Sequence, residues 1–270
     1  MSTTTTQATP ALQKMTAEAA QLAADESCRT LGLPTVRANH QPYSEVATKR
    51  RFTHTAFLAE LLAVEVDDRH TRRIARRIST AKFPRHKRLT EFNPDAVPDL
   101  PAATLAGLAE RHWIDAGHPV VLLGDSGTGK THLLIGLGIA AAENDLKVRY
   151  ITTAALVNEL VEAADSKQLA KTINRYARLD LLCLDELGYV HLDPRGAELL
   201  FQIITAREER ASIAVASNAP FSEWGRTFPD ARLAAAVVDR LTFNATIINT
   251  GSESYRLKTS KNRDKTRARK

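Results

Sequence analysis

Long apolar runs are missing from this chain of 270 residues. No stretch reaches the roughly 18–20 apolar residues that cross a bilayer, and the longest candidate, residues 133–142, is interrupted by two glycines. Cysteine is scarce as well. Cys28 and Cys183 stand far apart, with neither the spacing of a disulfide framework nor that of a metal site, which excludes a stapled secreted scaffold and a zinc module. A reducing, cytoplasmic setting without membrane association is the expectation. Residues 1–10 form a Ser/Thr tract without an apolar signal core and read as a disordered leader. No repeat recurs at a solenoid period. His70, His86, His118, His132 and His191 form no ligand constellation.

What is present falls into two patterns. Ala, Leu, Glu and Gln dominate residues 11–24. Phe57, Leu58, Leu61, Leu62 and Val64 then recur at helical spacing, and Ile74 and Ile78 sit one turn apart. Pro84, Pro94, Pro98 and Pro101 follow, so a joint is expected near residues 85–100. Beyond it, short apolar runs alternate with helical stretches. Residues 120–123, 148–151, 181–184, 213–217 and 245–249 read as strands, and 130–142 and 197–207 as helices. Runs that are apolar throughout, rather than alternating, fit parallel strands covered on both faces. The expected plan is the leader, a helical domain over 11–85, an α/β domain over 86–258 with a parallel five-stranded sheet in three layers, and a basic disordered tail over 259–270.

The first strand leads into Gly124-Asp125-Ser126-Gly127-Thr128-Gly129-Lys130-Thr131, which fits the phosphate-loop pattern G-x-x-x-x-G-K-[ST]. A loop that wraps a phosphate must turn successive backbone N–H groups inward, and Gly124, Gly127 and Gly129 permit that backbone. The following helix presents its positive end to the phosphates. Lys130 supplies a mobile charge for the β- and γ-phosphates, and Thr131 supplies a hydroxyl for Mg²⁺. His132, next on that helix, is counted with the nucleotide-binding residues. The apolar run 181–184 ends in Asp185 and Glu186. Asp185 is placed to hold Mg²⁺ through water, and Glu186 to polarise an attacking water as general base. Asn218 follows the fourth strand at the carboxyl end, where ligand-facing residues emerge from a parallel sheet; it would orient the water or touch the γ-phosphate. A glycine-rich turn, a solvated acidic turn and an ordinary turn asparagine would explain each motif singly, but not their order. ATP with Mg²⁺ is the expected ligand.

Acid is missing where base is dense. Residues 69–88 hold nine Lys or Arg and no Asp or Glu, and in residues 261–270 Asp264 is the lone acid. Arg69, Arg72, Arg73, Arg76 and Arg77 repeat at three- and four-residue spacing, which lines one helix face opposite Ile74 and Ile78. Lys82, Arg85, Lys87 and Arg88 prolong the stripe, and no counter-charge is expected nearby. A nucleic-acid backbone is the natural complement; a solvated face or an acidic protein partner would fit the same pattern. No zinc-finger or helix-turn-helix signature adds base reading, so little sequence preference is expected.

A narrower resemblance rests on several segments in order: Gly127 to Leu133 (GTGKTHL), LLCLDELGY over 181–189, Leu200-Phe201-Gln202, Ser217-Asn218, FSEWG over 221–225, Asp239-Arg240-Leu241, and GSESYRLK over 251–258. Over residues 50–258 the chain resembles the IstB-type ATP-binding proteins of insertion sequences, AAA+ ATPases related to DnaC-type helicase loaders. The resemblance implies a helical N-terminal domain before an AAA+ core, DNA binding, a homo-oligomer with ATP at its subunit interfaces, hydrolysis to ADP and phosphate, and regulation of a partner transposase on target DNA. A DnaC-like loader of a replicative helicase is the alternative. It also implies that Arg240 reaches a neighbour's nucleotide, although loaders carry that arginine one turn earlier, at the position of Ala236; a structural salt bridge is the competing role. Arg256 resembles a second sensor arginine that contacts phosphate within its own chain. Two departures stand out: Asp125-Ser126 replaces a common pair of prolines, and Arg207-Glu208-Glu209 replaces an Arg-Tyr-Glu segment.

Overall fold

The computed structural model describes residues 16–252 other than 95, 96, 98 and 99. The expected leader, the basic tail and Arg256 lie outside them. The chain divides into two compact units between Arg72 and Arg73.

The first unit contains α1 (Ala17–Thr30), α2 (Pro34–Lys49) and the first part of α3 (His54–Ala81). Its small core is Cys28, Val36 and Leu61, with Leu33, Tyr43 and Phe57 packed around them. Thr16 caps α1 by accepting the Ala19 N–H at 3.3 Å. Pro34 opens α2, where its fixed φ is already helical, but no side chain within α2 caps that end. The amides of Thr35 and Val36 instead donate to Glu65 Oε2 of α3, at 2.8 and 3.0 Å. A carboxylate at a helix N-terminus satisfies orphan donors and suits the dipole.

The second unit is built on five parallel strands: β1 (Val120–Leu123), β2 (Val148–Thr152), β3 (Leu181–Leu187), β4 (Ser212–Ser217) and β5 (Thr246–Asn249), in the spatial order β2-β3-β4-β1-β5. Successive side chains enter two different cores. Val120, Leu122, Cys183, Ala214 and Ala216 face one; Val121, Leu182, Leu184, Ile213 and Val215 face the other. Helices α4 (Ala102–Ala109), α5 (His112–Asp115) and α6 (Lys130–Glu143) cover the first face. The second is covered by α7 (Thr153–Asp165), α8 (Leu169–Ala177), α9 (Pro194–Arg207), α10 (Trp224–Thr227) and α11 (Ala231–Thr242). Burial on both faces is why the strands read as continuous apolar runs.

Two boundaries differ from expectation. The joint placed near residues 85–100 is not a free linker, because Phe83, Leu89 and Phe92 pack with Ile78 against the first core. The division falls earlier, inside α3. In addition β3 continues past residue 184 to Leu187, so Asp185 and Glu186 lie within the strand rather than at its end. No described helix is long and apolar enough to cross a membrane.

Candidate nucleotide site

Parallel pairing places the site before any side chain is considered. Leu123 pairs with Ser217, Ser217 with Leu187, and Thr152 with Asp185. The loop after β1, the acids of β3 and the end of β4 therefore share the carboxyl edge of the sheet, where ligands bind in open α/β folds.

In the loop, Gly124, Gly127 and Gly129 have φ of 144°, 88° and 106°, and α6 begins at Lys130. Gly124 is also boxed in. A Cβ there would lie 2.4 Å from Thr250 Oγ1 and 2.8 Å from the Gly251 carbonyl oxygen. Those residues leave β5 and tie down the loop: Asp125 N donates to Gly251 O at 3.0 Å, and the hydroxyls of Thr128 and Thr250 are 2.6 Å apart. Asp125 and Ser126 are exposed. Lys130 is buried, and its Nζ donates to Gly124 O at 2.7 Å and Asp125 O at 2.8 Å, which holds the ammonium against the loop. Thr131 is half-buried.

The two acids point differently because of a bulge. Leu184 pairs with Val215 and Leu187 with Ser217, so Asp185 and Glu186 together face the single residue Ala216. Glu186 takes φ of 62° and is exposed; Asp185 is buried. Both carboxylate oxygens of Asp185 are held: Tyr150 Oη donates to Oδ2 at 2.6 Å, and Glu186 N donates to Oδ1 at 2.9 Å. Burial, and then the Asp185 carboxylate beside it, push the Tyr150 phenol well above its ordinary range, so it remains a donor. Asp185 and Thr131 offer oxygen donors, the type Mg²⁺ takes, and a lone carboxylate with a hydroxyl suits an ion that keeps most of its water. Among the described residues no group of three or more His, Cys, Asp or Glu gathers to hold a metal on its own.

Asn218 follows β4 and is half-buried. Its neighbour Ser217 is structural: the hydroxyl accepts from Ala219 N at 3.1 Å and Trp224 Nε1 at 3.2 Å. His132 turns toward the segment before α4. Its ring meets Phe92 edge-on at 5.5 Å, and Nε2 lies 3.2 Å from Arg88 O. Arg240 lies apart from the loop. It lines a cavity of about 240 Å³ with Pro119 and Ile213, at the opposite end of β1 and β4. There its Nε is 3.0 Å from Glu208 Oε2, and its guanidinium sits 4.6 Å over the Phe201 ring.

The basic segment is not free of counter-charge as expected. Arg69 pairs with Glu65 at 2.7 Å and Arg72 with Asp68 at 2.7 Å. Arg73 and Arg77 both reach Asp145, at 3.3 and 3.0 Å, and Arg88 reaches Glu143 at 3.0 Å. Lys87 lies 3.8 Å from Glu91. Among the described residues Arg76, Lys82 and Arg85 make no ion pair. Glu65 and Asp68 come from the preceding turns of α3; Glu143 and Asp145 are brought in by the end of α6, far away in sequence. Sequence reasoning also missed Tyr150, Thr250 and Phe92 around the site, since none of them belongs to a motif of its own.

A family model described as IstB-like ATP binding protein matches residues 26–263. The chain is 38% identical over 227 residues to an insertion-sequence ATP-binding protein of Sinorhizobium fredii, covering 84% of this chain and 76% of that one. It is 35% identical over 233 residues to the ATP-binding protein of insertion sequence IS5376 from Geobacillus stearothermophilus, covering 86% and 93%. Among solved structures, DnaI superposes with a TM-score of 0.51 at 18% identity, covering 61% of this chain and 90% of that one. AMPPCP-bound DnaA from Aquifex aeolicus gives 0.51 at 21% identity, covering 62% and 51%. At such identity the likeness is one of fold, an α/β core on a parallel sheet.

Proposed function

The chain belongs to the IstB-like ATP-binding proteins of insertion sequences, and from that premise we propose that it hydrolyses ATP while assembled on DNA, and so regulates a partner transposase. ATP binding itself is implied by the family. The observation that most supports turnover is the shared carboxyl edge, which carries both Lys130 at the tip of α6 and the bulge that buries Asp185 and exposes Glu186.

The loop amides of residues 124–129 and the positive end of α6 hold the phosphates. Lys130 exchanges its carbonyl partners for β- and γ-phosphate oxygens. Thr131 and Asp185 would hold Mg²⁺, which when bound would supply charge neutralisation to the phosphates. Asn218 orients a water, and Glu186 takes its proton as the oxygen attacks the γ-phosphorus. The bond to the β-bridging oxygen breaks, and ADP and phosphate leave. Arg240 serves the nucleotide of a neighbouring copy, which makes the site complete only in a homo-oligomer. DNA lies along the basic segment from Arg73 to Arg88 with little sequence preference, because the contacts are to phosphate. Arg69, held by the buried Glu65, contributes less. Two unpaired buried thiols suit a cytoplasmic protein.

Lys130→Ala should abolish ATP binding. Glu186→Gln should still bind ATP in the presence of Mg²⁺ but turn it over roughly 100- to 10,000-fold more slowly. Nucleotide titration and phosphate release measure the two effects. Wild-type chain with no Mg²⁺-dependent affinity for ATP would end this reading.

A further inference from the structure

The second part of α3 and the entry to β2 enclose a cleft of about 450 Å³ that the basic segment does not define on its own. Arg73, Arg76 and Arg77 line it from α3, and Lys147, remote in sequence, lines it from the start of β2, with Val148 and Leu179 between them. Four cationic side chains thus converge on one space. Among the described residues two of the four are answered by an acid: Asp145, in the turn after α6 with φ of 64°, pairs with both Arg73 and Arg77. The side chains of Arg76 and Lys147 are exposed and make no ion pair among the described residues. The backbone of Lys147 is nevertheless fixed. Its N–H donates to Asp180 Oδ2 at 2.6 Å, and its carbonyl accepts from Asp180 N at 2.9 Å.

We propose that this cleft seats a phosphate of a DNA backbone, with Arg76 and Lys147 as its open ligands and Asp145 as the internal counter-ion that the phosphate displaces. The proposal rests on the DNA-binding reading above and locates it on the ATPase unit. Arginine forks match phosphate oxygens in pairs, and lysine adds a point charge. The exchange is cheap because the existing pairs are partly solvated: the Arg73 side chain is 51% exposed and that of Asp145 34%. Ion pairs of that kind contribute little, whereas a phosphate that replaces the carboxylate also releases condensed counter-ions.

The test is anisotropy of a labelled duplex with the full chain, at several salt concentrations. Arg76→Ala combined with Lys147→Ala should weaken binding about tenfold and reduce the slope of log K against log salt by about one, the value for one phosphate contact. Asp145→Asn should tighten binding several-fold. Asparagine tolerates the positive φ at that turn, and a gain of affinity cannot arise from misfolding. If wild-type chain binds the duplex but neither variant changes affinity or slope, while Lys82→Ala with Arg85→Ala does, the cleft is overturned and the DNA reading stands. If wild-type chain binds no duplex, the DNA reading itself falls.

Discussion

Asp185 shows how much of the setting of a candidate metal-holding residue lies outside its motif. Tyr150 pairs with Cys183 across β2 and β3, and reaches diagonally along the same face to Asp185. It orients the carboxylate that would hold Mg²⁺, from 35 residues away in sequence. Partners of metal-holding groups typically matter by about 10- to 100-fold in metal affinity. Tyr150→Phe keeps the packing and removes only the donor. Its ATP turnover should therefore require about tenfold more Mg²⁺ for half-maximal rate, with little change at saturating metal. A Mg²⁺ titration of phosphate release checks this, and an unshifted midpoint would make the hydrogen bond incidental. Lys130, Thr131, Asp185 and Glu186 stand out in the sequence as candidates because each is part of a pattern that phosphate or metal chemistry would dictate. Tyr150 is not, because strand pairing alone creates its partnership.

At the scale of elements, what was legible was the class of each segment, and what was not was how its ends are used. The apolar run 181–184 announces a strand, but nothing in it announces that pairing resumes at Leu187 beyond a bulge. Helix α6 is legible as a segment, yet it is buried almost all round and its glycines are packing residues. A Cβ on Gly138 would lie 2.6 Å from Phe83 Cε1 and 3.1 Å from Cys183 Sγ. Gly138→Ala gains about 1 kcal/mol of helix propensity, but overpacking costs roughly 1–3 kcal/mol. Net destabilisation is expected in denaturant titration, against the trend for an ordinary helical glycine. In α2 the cap comes from another helix. Burial alone would raise the pKa of Glu65, but hydrogen bonds from Arg69, Val36 N and Thr35 N outweigh it and hold the carboxyl below its ordinary value of 4.5. A lowered carboxyl pKa stabilises the fold above the unfolded value, and that stabilisation is lost as pH falls through the folded one. Thermal melting of wild type should thus decline below about pH 4.5. Glu65→Gln should be less stable at neutral pH by about 1–3 kcal/mol and lack this part of the decline.

Across the whole molecule, charge is the property that reading along the chain misjudges most. Residues 69–88 carry no acid of their own, but the fold supplies Asp145 and Glu143 to three of their arginines. Arg240 poses the same question in sharper form. The ion pair with Glu208 and the Phe201 stacking give it a local role. Against that, it sits at the end of the sheet away from its own loop, where only another copy could bring a nucleotide to it. Mixing subunits separates the two roles. Lys130→Ala and Arg240→Ala chains should each be nearly inactive alone. In a head-to-tail assembly an equal mixture places an intact loop beside an intact Arg240 at about a quarter of interfaces, and turnover should recover to about that fraction of wild type. If Arg240 only braces α11 against Glu208, each chain keeps its own defect when mixed. Activity would then stay at the average of the two variants, and Glu208→Ala would reproduce the Arg240→Ala loss of stability.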